Sequence, residues 1–362
     1  MTNLATSDPG LFINQIEVAV PKNDGHQRFV SYLPKLVKDE RRLRVLTKLA
    51  SKCQIDHRYS VLNPSPDPAG LDGDGFFEPG QFASTSRRME RYRREALPLA
   101  EGPVGRILET TAAHKITHLI VTSCTGFYAP GLDLELQKRF DMRSSLERTM
   151  IGFMGCYAAF NGMKTAGHIV MANPAARVLM VNLELCSLHL QETDDLEELL
   201  AFMQFADGCA ASLISSERYG LELERFRCEV IPEGKDLIRW GVGDMGFDMS
   251  LSLEVPQALG HHLPELMPKI ISQEERAALE LWAVHPGGRS ILDAVQSRLG
   301  VTDAEMEPSR SVLREFGNMS SATIMFVLKQ ILSRPEATGP GIAMAFGPGL
   351  TVETVLFNKK GS

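Results

Sequence analysis

Cysteine is sparse in this chain and unpaired in pattern. Six residues, Cys53, Cys124, Cys156, Cys186, Cys209 and Cys228, are spread over 362 positions. None forms a C-x-x-C pair, so neither a zinc site nor a disulfide framework is indicated, and most are expected as reduced interior thiols. Positive charge is also in deficit. The formal net charge of −7 argues against bulk attraction to nucleic acid or to an anionic membrane. No apolar run approaches the roughly 18 residues of a membrane span. Met1 to Gly10 lacks the charged-then-apolar pattern of a secretory signal. The absences lead to the expectation of a cytoplasmic protein with no integral membrane segment and no nucleic-acid partner. No short-period repeat is visible. Basic residues gather locally at Lys35–Arg44 and Arg87–Arg94, and the second cluster reads as a solvated helix face.

What is present is ample apolar content, 44% of the chain. The length suits two domains or one large unit of two similar halves. Leu11 to Val20 reads as a first strand. Arg28 to Cys53 reads as one or two amphipathic helices broken near Pro34. Asn63 to Gly80, rich in Pro, Gly and Asp, reads as a long surface loop. Arg87 to Lys115 has a helical pattern with Pro98 and Gly102 as interruptions. Buried strands are expected at Thr117–Cys124 and Arg177–Leu185, with a helix at Asp194–Phe205 between the second of these and strands at Cys209–Ser215 and Leu221–Val230. Beyond them come a helix over Val255–Ile271, a strand at Leu281–His285, helices from Arg289 and Ser320, and strands at Gly341–Phe346 and Thr351–Phe357. Continuous apolar strands alternating with helices argue for an α/β fold with covered sheets. No linker separates the halves clearly, and Ser215–Trp240 is the least patterned stretch.

The chain is organised around Ile151-Gly-Phe-Met-Gly-Cys-Tyr-Ala-Ala-Phe160. An apolar run reaches Cys156 through Gly155, and small residues and helix formers follow. A strand, a tight turn and a buried helix are expected. Unpaired N–H groups and the helix dipole at such a turn would favour the thiolate. The plain alternative is a core cysteine, since free Cys is among the most buried residue types. Two further stretches bear on the choice. In Trp282-Ala-Val-His-Pro-Gly-Gly-Arg289, a strand ends in His285 and glycines turn the chain into a helix. In Gly317-Asn-Met-Ser-Ser321, an Asn precedes small residues that open an apolar helix. Glycine beside each lets a ligand or backbone come close. Taken singly, His285 reads as a satisfied core residue and Asn318 as a cap.

The order Cys, His, Asn is more specific. With Gly155-Cys156, His285-Pro-Gly-Gly288, Gly317-Asn-Met-Ser-Ser321, Phe205-Ala-Asp-Gly208 and Phe346-Gly-Pro-Gly-Leu-Thr-Val-Glu-Thr354, the chain resembles the type III polyketide synthases, the chalcone-synthase-like branch of the thiolase-fold condensing enzymes. The resemblance runs from about residue 40 to 357. The form Gly-Phe-Met-Gly-Cys-Tyr-Ala-Ala is closer to bacterial members than to plant ones.

The resemblance implies a thiolase-like five-layered αβαβα fold of two similar halves, 1–220 carrying the nucleophilic Cys and 221–362 carrying His and Asn. It implies a homodimer acting on malonyl-CoA and an acyl-CoA starter without a further cofactor or metal. Cys156 matches the nucleophile that holds the starter as a thioester. His285 matches its imidazole partner, and Asn318 the amide that grips the malonyl thioester carbonyl with His285. Phe205 matches the aromatic gatekeeper. Substrate-lining positions fall on Cys124, Thr125, Cys186, His189, Trp240, Met249, Ser320, Pro348 and Gly349. Coenzyme A contacts fall on Lys48, Lys52 and Arg58, while a third basic position falls on Val45. Trp240 replaces a Gly and Met249 a Phe of the plant pattern, which favours a small or aliphatic starter. Ala129 replaces a Met that reaches into the partner's cavity.

The chemistry agrees with these roles. A thiolate is both nucleophile and leaving group for thioester exchange. Two neutral or cationic donors stabilise the enolate left by decarboxylation of malonyl-CoA. Three alternatives compete. A β-ketoacyl synthase III-like enzyme shares the Cys, His, Asn order, but the Gly347-Pro-Gly349 loop and Pro286-Gly-Gly288 argue against it. A cysteine hydrolase also uses Cys-His-Asn. A non-catalytic scaffold would have no need of all three residues.

Overall fold

The structure is a computed structural model that describes residues 10–67 and 70–360. The reading of Met1–Pro9 as lacking a signal, and positions 68 and 69 of the surface loop, lie outside the described residues. The strands are β1 (Phe12–Ala19), β2 (Asn23–Asp24), β3 (Tyr59–Ser60), β4 (His118–Ser123), β5 (Glu147–Gly152), β6 (Arg177–Leu185), β7 (Asp207–Ser215), β8 (Leu221–Val230), β9 (Ile238–Gly243), β10 (Gly246–Leu251), β11 (Leu281–Val284), β12 (Gly339–Gly347) and β13 (Thr351–Lys359). Nine of them form one sheet in the order β11-β12-β13-β8-β1-β7-β6-β4-β5.

The sheet has two arms with the same pattern. From β1 outward, β7 is antiparallel to β1, β6 antiparallel to β7, and β4 parallel to β6. From β8 outward, β13 is antiparallel to β8, β12 antiparallel to β13, and β11 parallel to β12. The arms meet where β1 pairs with β8 through Phe12–Glu222 and Ile13–Leu221. The core of Ser215–Trp240 is β8, which pairs with β13 along its length and with β1 at Leu221 and Glu222, so this stretch carries the join between the arms.

Side-chain alternation along each strand divides the interior into layers. Leu119 and Val121 of β4 face an outer core with the helix Thr85–Thr110, whereas Ile120 faces inward. Trp282 and Val284 of β11 face the opposite outer core with the helices Val255–Ile270 and Arg289–Leu299, whereas Ala283 faces inward. Between the arms lie two helices, Ala158–Ala172 and Thr323–Leu332. Phe160, Met163, Ile324 and Leu328 from them share one middle core with residues of both arms. Helix, sheet arm, paired helices, sheet arm and helix make the five layers.

The helix Thr85–Thr110 runs through Pro98 and Pro103 without the expected interruption. Each Pro forfeits one backbone hydrogen bond, and burial of Ala96, Ala100, Val104 and Ile107 against the sheet holds the helix together. Pro34 likewise lies inside the helix His26–Leu36, and the break comes at Asp39, whose side chain caps Glu40–Ala50 by accepting from Arg42 N. The Arg87–Arg94 cluster is a solvated face only in part: Arg87, Arg93 and Arg94 are exposed, but Arg88 and Arg91 turn inward. Arg88 is 0% exposed and donates to the carbonyls of Ala83, Leu188 and Leu190. Arg91 is buried as well and donates to Val61 O. No helix among the described residues is long and apolar enough to cross a membrane.

Candidate active site

Each middle helix enters the core through a 3₁₀ turn, Gly155–Tyr157 before one and Ser320–Ala322 before the other. A left-handed glycine precedes the key side chain in both. Gly155 (φ 69°) comes just before Cys156, and Gly317 (φ 70°) just before Asn318. The matching arms of the sheet thus deliver a thiol and an amide to one seam. At Gly155 a Cβ would come within 2.5 Å of Pro348 Cδ, so the Gly-Pro-Gly loop 347–349 packs directly on the thiol's turn. Pro348 lines the chamber in front of Cys156, and Gly349 (φ 77°) supplies the bend behind it.

Asn318 is held in one orientation. Its Oδ1 accepts from Ser320 N at 2.9 Å and from Thr323 Oγ1 at 3.3 Å, which leaves Nδ2 as the presented end. One Nδ2 hydrogen goes to Gly287 O at 3.3 Å. The amide also hydrogen-bonds the Cys156 thiol, which sets it beside the sulfur. Gly287 stands two residues beyond His285, at the end of β11. His285 is 1% exposed, its N–H donates to Met344 O, and neither ring nitrogen has a protein partner.

Burial is the largest influence on both titrating groups. It pushes the Cys156 thiol up to about 12, against the pull of the Ser320 and Asn318 side chains, and the His285 ring down to about 3. The expected acidification of Cys156 by its turn is therefore outweighed. Burial penalises either charge alone.

The chamber in front of Cys156 spans about 380 Å³, counting the space at its mouth, and includes Cys124, Thr125, Cys186, Phe205, Trp240, Met249 and Ser320 among its walls. A second pocket of about 390 Å³ shares Cys186, Phe205, Trp240 and Met249 with it and opens beside Gln191, Thr193 and Glu198. The four shared side chains form a wall common to the two pockets. His189 lines the second pocket. Its Nε2 donates to Thr125 O at 2.7 Å and its Nδ1 accepts from Phe247 N at 3.0 Å, which fixes a neutral tautomer; burial, the leading effect, depresses its pKa to about 3.

The three coenzyme A candidates part company. Lys48 and Lys52 are exposed on and just after the helix Glu40–Ala50. Arg289, which the sequence reading missed, donates to Lys52 O at 3.0 Å and stands between Gly288 and Ser290, both lining a further depression. Arg58 does not join them. It is 5% exposed, donates to the carbonyls of Phe202 and Phe205, and borders a different cleft beside Asn23, Arg28 and Tyr59.

Glu184 was also missed. It is wholly buried and accepts from Cys124 N (2.9 Å), Thr125 Oγ1 (2.8 Å) and Ser321 Oγ (2.5 Å), and burial raises its pKa to about 7. The signal was available, since a Glu within the apolar run Val178–Leu185 needs polar partners from elsewhere in the fold.

Family profiles bear on the chain as a whole. That of the chalcone and stilbene synthases, N-terminal domain, matches residues 81–218, and that of the C-terminal domain matches 222–360. The alpha-pyrone synthesis polyketide synthase-like Pks18 of Mycobacterium tuberculosis is 30% identical over 373 residues, covering 98% of this chain and 90% of that protein. Type III polyketide synthase C of Arabidopsis thaliana is 31% identical over 261 residues, 68% of each. Among solved structures, PKS-I of the brown alga Ectocarpus siliculosus superposes with a TM-score of 0.86 at 28% identity, covering 97% of this chain and 98% of that one. CsyB complexed with CoA-SH superposes at 0.85 with 22% identity, covering 97% and 100%, a likeness of fold.

Proposed function

Within the chalcone and stilbene synthases, the family to which this chain belongs as a type III polyketide synthase, we propose that it extends a fatty acyl starter held on Cys156 and releases an alkyl pyrone. The observation that carries the residue roles is the bare imidazole of His285 beside an Asn318 amide locked with its N–H end outward.

The steps follow from that geometry. Cys156 passes its proton to His285 and its sulfur attacks the starter thioester, and the coenzyme A thiol leaves with a proton. Malonyl-CoA then places its thioester oxygen between an N–H of His285 and the Asn318 N–H that the Cys156 thiol gives up once it is acylated. Loss of CO₂ leaves an enolate whose negative charge these donors stabilise, an effect of roughly 3–4 kcal/mol per donor in comparable sites. The enolate carbon attacks the Cys156 thioester and the thiolate departs. The lengthened chain, now on coenzyme A, returns to Cys156 for the next round. No nicotinamide, flavin or metal enters any step.

Support for an aliphatic starter comes from the two adjoining pockets. Trp240 and Met249 stand in their common wall, and Leu190, Ala201 and Phe202 give the second pocket an apolar wall that ends at a solvent-facing rim. In this proposal a linear acyl chain threads past Trp240 and Met249 from one pocket to the other, a path that a rigid cinnamoyl ring fills less well. The starter's phosphates have cations to meet at Lys48, Lys52 and Arg289. CsyB, which resembles this chain in fold, is known complexed with CoA-SH. We also assign a homodimer, with the edge strand β5 and the exposed Phe127, Met150 and Phe153 beside it as the self-association face.

The test is incubation with malonyl-CoA and a panel of acyl-CoA starters, with products identified by mass spectrometry. Pyrones from linear acyl-CoAs are expected. Absolute dependence on acyl-carrier protein, or exclusive use of aromatic starters, would sink the reading.

A further inference from the structure

Arg58 is a large cation with no exposed role. Its guanidinium donates from Nη1 to the carbonyl oxygens of Phe202 and Phe205, the latter at 2.6 Å. It packs against the rings of Phe29 and Phe202, 5.0 and 5.2 Å from their centroids. Its own backbone is held by Asp24 Oδ1, which accepts from Arg58 N, and by Gly25 N, which donates to Arg58 O. The segment it grips is the one that carries the gatekeeper.

That segment touches Asn318 on its other side. Asn318 N donates to Gln204 O and Ala206 N donates to Asn318 O, both at 2.8 Å, so Phe205 and Asn318 face each other across a parallel bridge. The stem of Arg58 also reaches the amide's own turn. A Cβ at Gly317 would lie 3.1 Å from Arg58 Cγ and 2.9 Å from Gln204 O. Arg58 thus presses on the residue before Asn318 and holds the strand that Asn318 pairs with.

We propose that Arg58 is a positioning residue. It sets the Phe205 segment and, through the Phe205–Asn318 bridge and Gly317, fixes where the Asn318 amide stands during malonyl decarboxylation. This rests on the decarboxylation role of Asn318 proposed above. A charged group serves here because a guanidinium reaches two carbonyls at once with fixed geometry, and because Asp207, two residues past Phe205, places a buried carboxylate nearby whose charge favours the cation. The prediction is specific to one half-reaction. Loading of Cys156 needs no Asn318 donor, whereas enolate formation does.

The experiment measures three rates on Arg58→Met, which keeps the stem against Gly317 and removes the donors, and on Arg58→Lys. The rates are release of coenzyme A when starter acylates Cys156, release of CO₂ from malonyl-CoA, and full turnover, each with its KM. Arg58→Met is expected to lose roughly ten- to hundredfold in decarboxylation, as for a misplaced catalytic group. Loading and the KM for malonyl-CoA should stay within about twofold. Arg58→Lys should recover part of the loss. A raised KM with unchanged kcat would restore the phosphate-contact assignment and overturn the proposal. Equal losses in loading and decarboxylation would also overturn it, leaving Arg58 a purely structural residue.

Should Arg58→Met fail to fold, Arg58→Gln decides. Its amide keeps a donor for only part of the Phe202 and Phe205 carbonyl pair, so decarboxylation should fall while loading persists. Retained decarboxylation in that variant would refute the coupling. If the wild-type enzyme itself released no CO₂ from malonyl-CoA, the function reading would fail, which is a different outcome from a wild type that decarboxylates and an Arg58 variant that loses both steps alike.

Discussion

The indole Nε1 of Trp240 donates to the carbonyl oxygen of Cys124 at 2.8 Å. This bond ties β9 of the β9–β10 hairpin, which pairs with no strand of the main sheet, to the chain immediately after β4. His189 reinforces it, stacked on Phe247 of the same hairpin with ring centroids 4.3 Å apart. The hairpin's inward residues Ile238, Trp240 and Met249 then become walls of the thiol chamber.

Trp240→Phe removes the hydrogen bond and keeps most of the ring, and Trp240→Ala removes both. If the bond holds the common wall, Trp240→Phe should already broaden the range of acyl chain lengths, and Trp240→Ala should admit branched or aromatic starters as well. Profiles of kcat/KM over starters from short to long chains provide the check. An unchanged profile in both would show that the wall does not select.

His285→Gln and Asn318→Ala should each chiefly impair decarboxylation, by about 10²- to 10³-fold per lost donor. Cys156→Ala should abolish elongation while leaving malonyl-CoA decarboxylation measurable, since that step needs no thioester on sulfur. Radiolabelled CO₂ release, measured beside product formation, separates the two. Equal retention of decarboxylation in the His285 and Asn318 variants would contradict the oxyanion role.

Burial raises the Glu184 carboxyl from its ordinary 4.5 to about 7. Between these values the folded chain keeps a proton that the unfolded chain releases, so this group's contribution is fully present below about pH 4.5 and is lost as pH rises through 7. The rise corresponds to roughly 3 kcal/mol. Glu184→Gln retains an amide oxygen for Cys124 N and does not ionise. It should match wild type near pH 5 and exceed it in stability near pH 8. Urea unfolding at the two pH values measures the difference, and a variant weaker at both would show that the carboxylate's charge is not the cost.

Arg88 satisfies the carbonyls of Ala83, Leu188 and Leu190 from a fully buried position. Arg88→Met strands those acceptors and should cost about 3–5 kcal/mol. Because Leu188 and Leu190 flank His189, the loss should reach the hairpin, and starter selectivity should loosen in the folded fraction. Thermal unfolding with the starter panel checks both. A stable variant with a wild-type profile would show that the loop 186–190 holds itself.

Apolar runs determined the interior strands β4, β6, β7, β11, β12 and β13, because a strand buried on both faces must be apolar along its length, whereas the exposed edge strand β5 and the β9–β10 hairpin left no such signal. Order and spacing of motifs determined Cys156, His285 and Asn318 as one constellation, because each stands beside glycines at the end of an element. Contacts between distant segments were decided only by tertiary structure. Arg58 and Arg88 look in sequence like any surface arginine, since nothing local shows that the carbonyls of Phe205 or Leu188 lie within reach. Glu184 is read as a flaw in a strand until Ser321, 137 positions away, arrives to donate to it. The balance of charge at Cys156 was likewise a tertiary matter. The turn that favours a thiolate is visible in the sequence, but the depth of burial that outweighs it depends on how the two arms close around the seam.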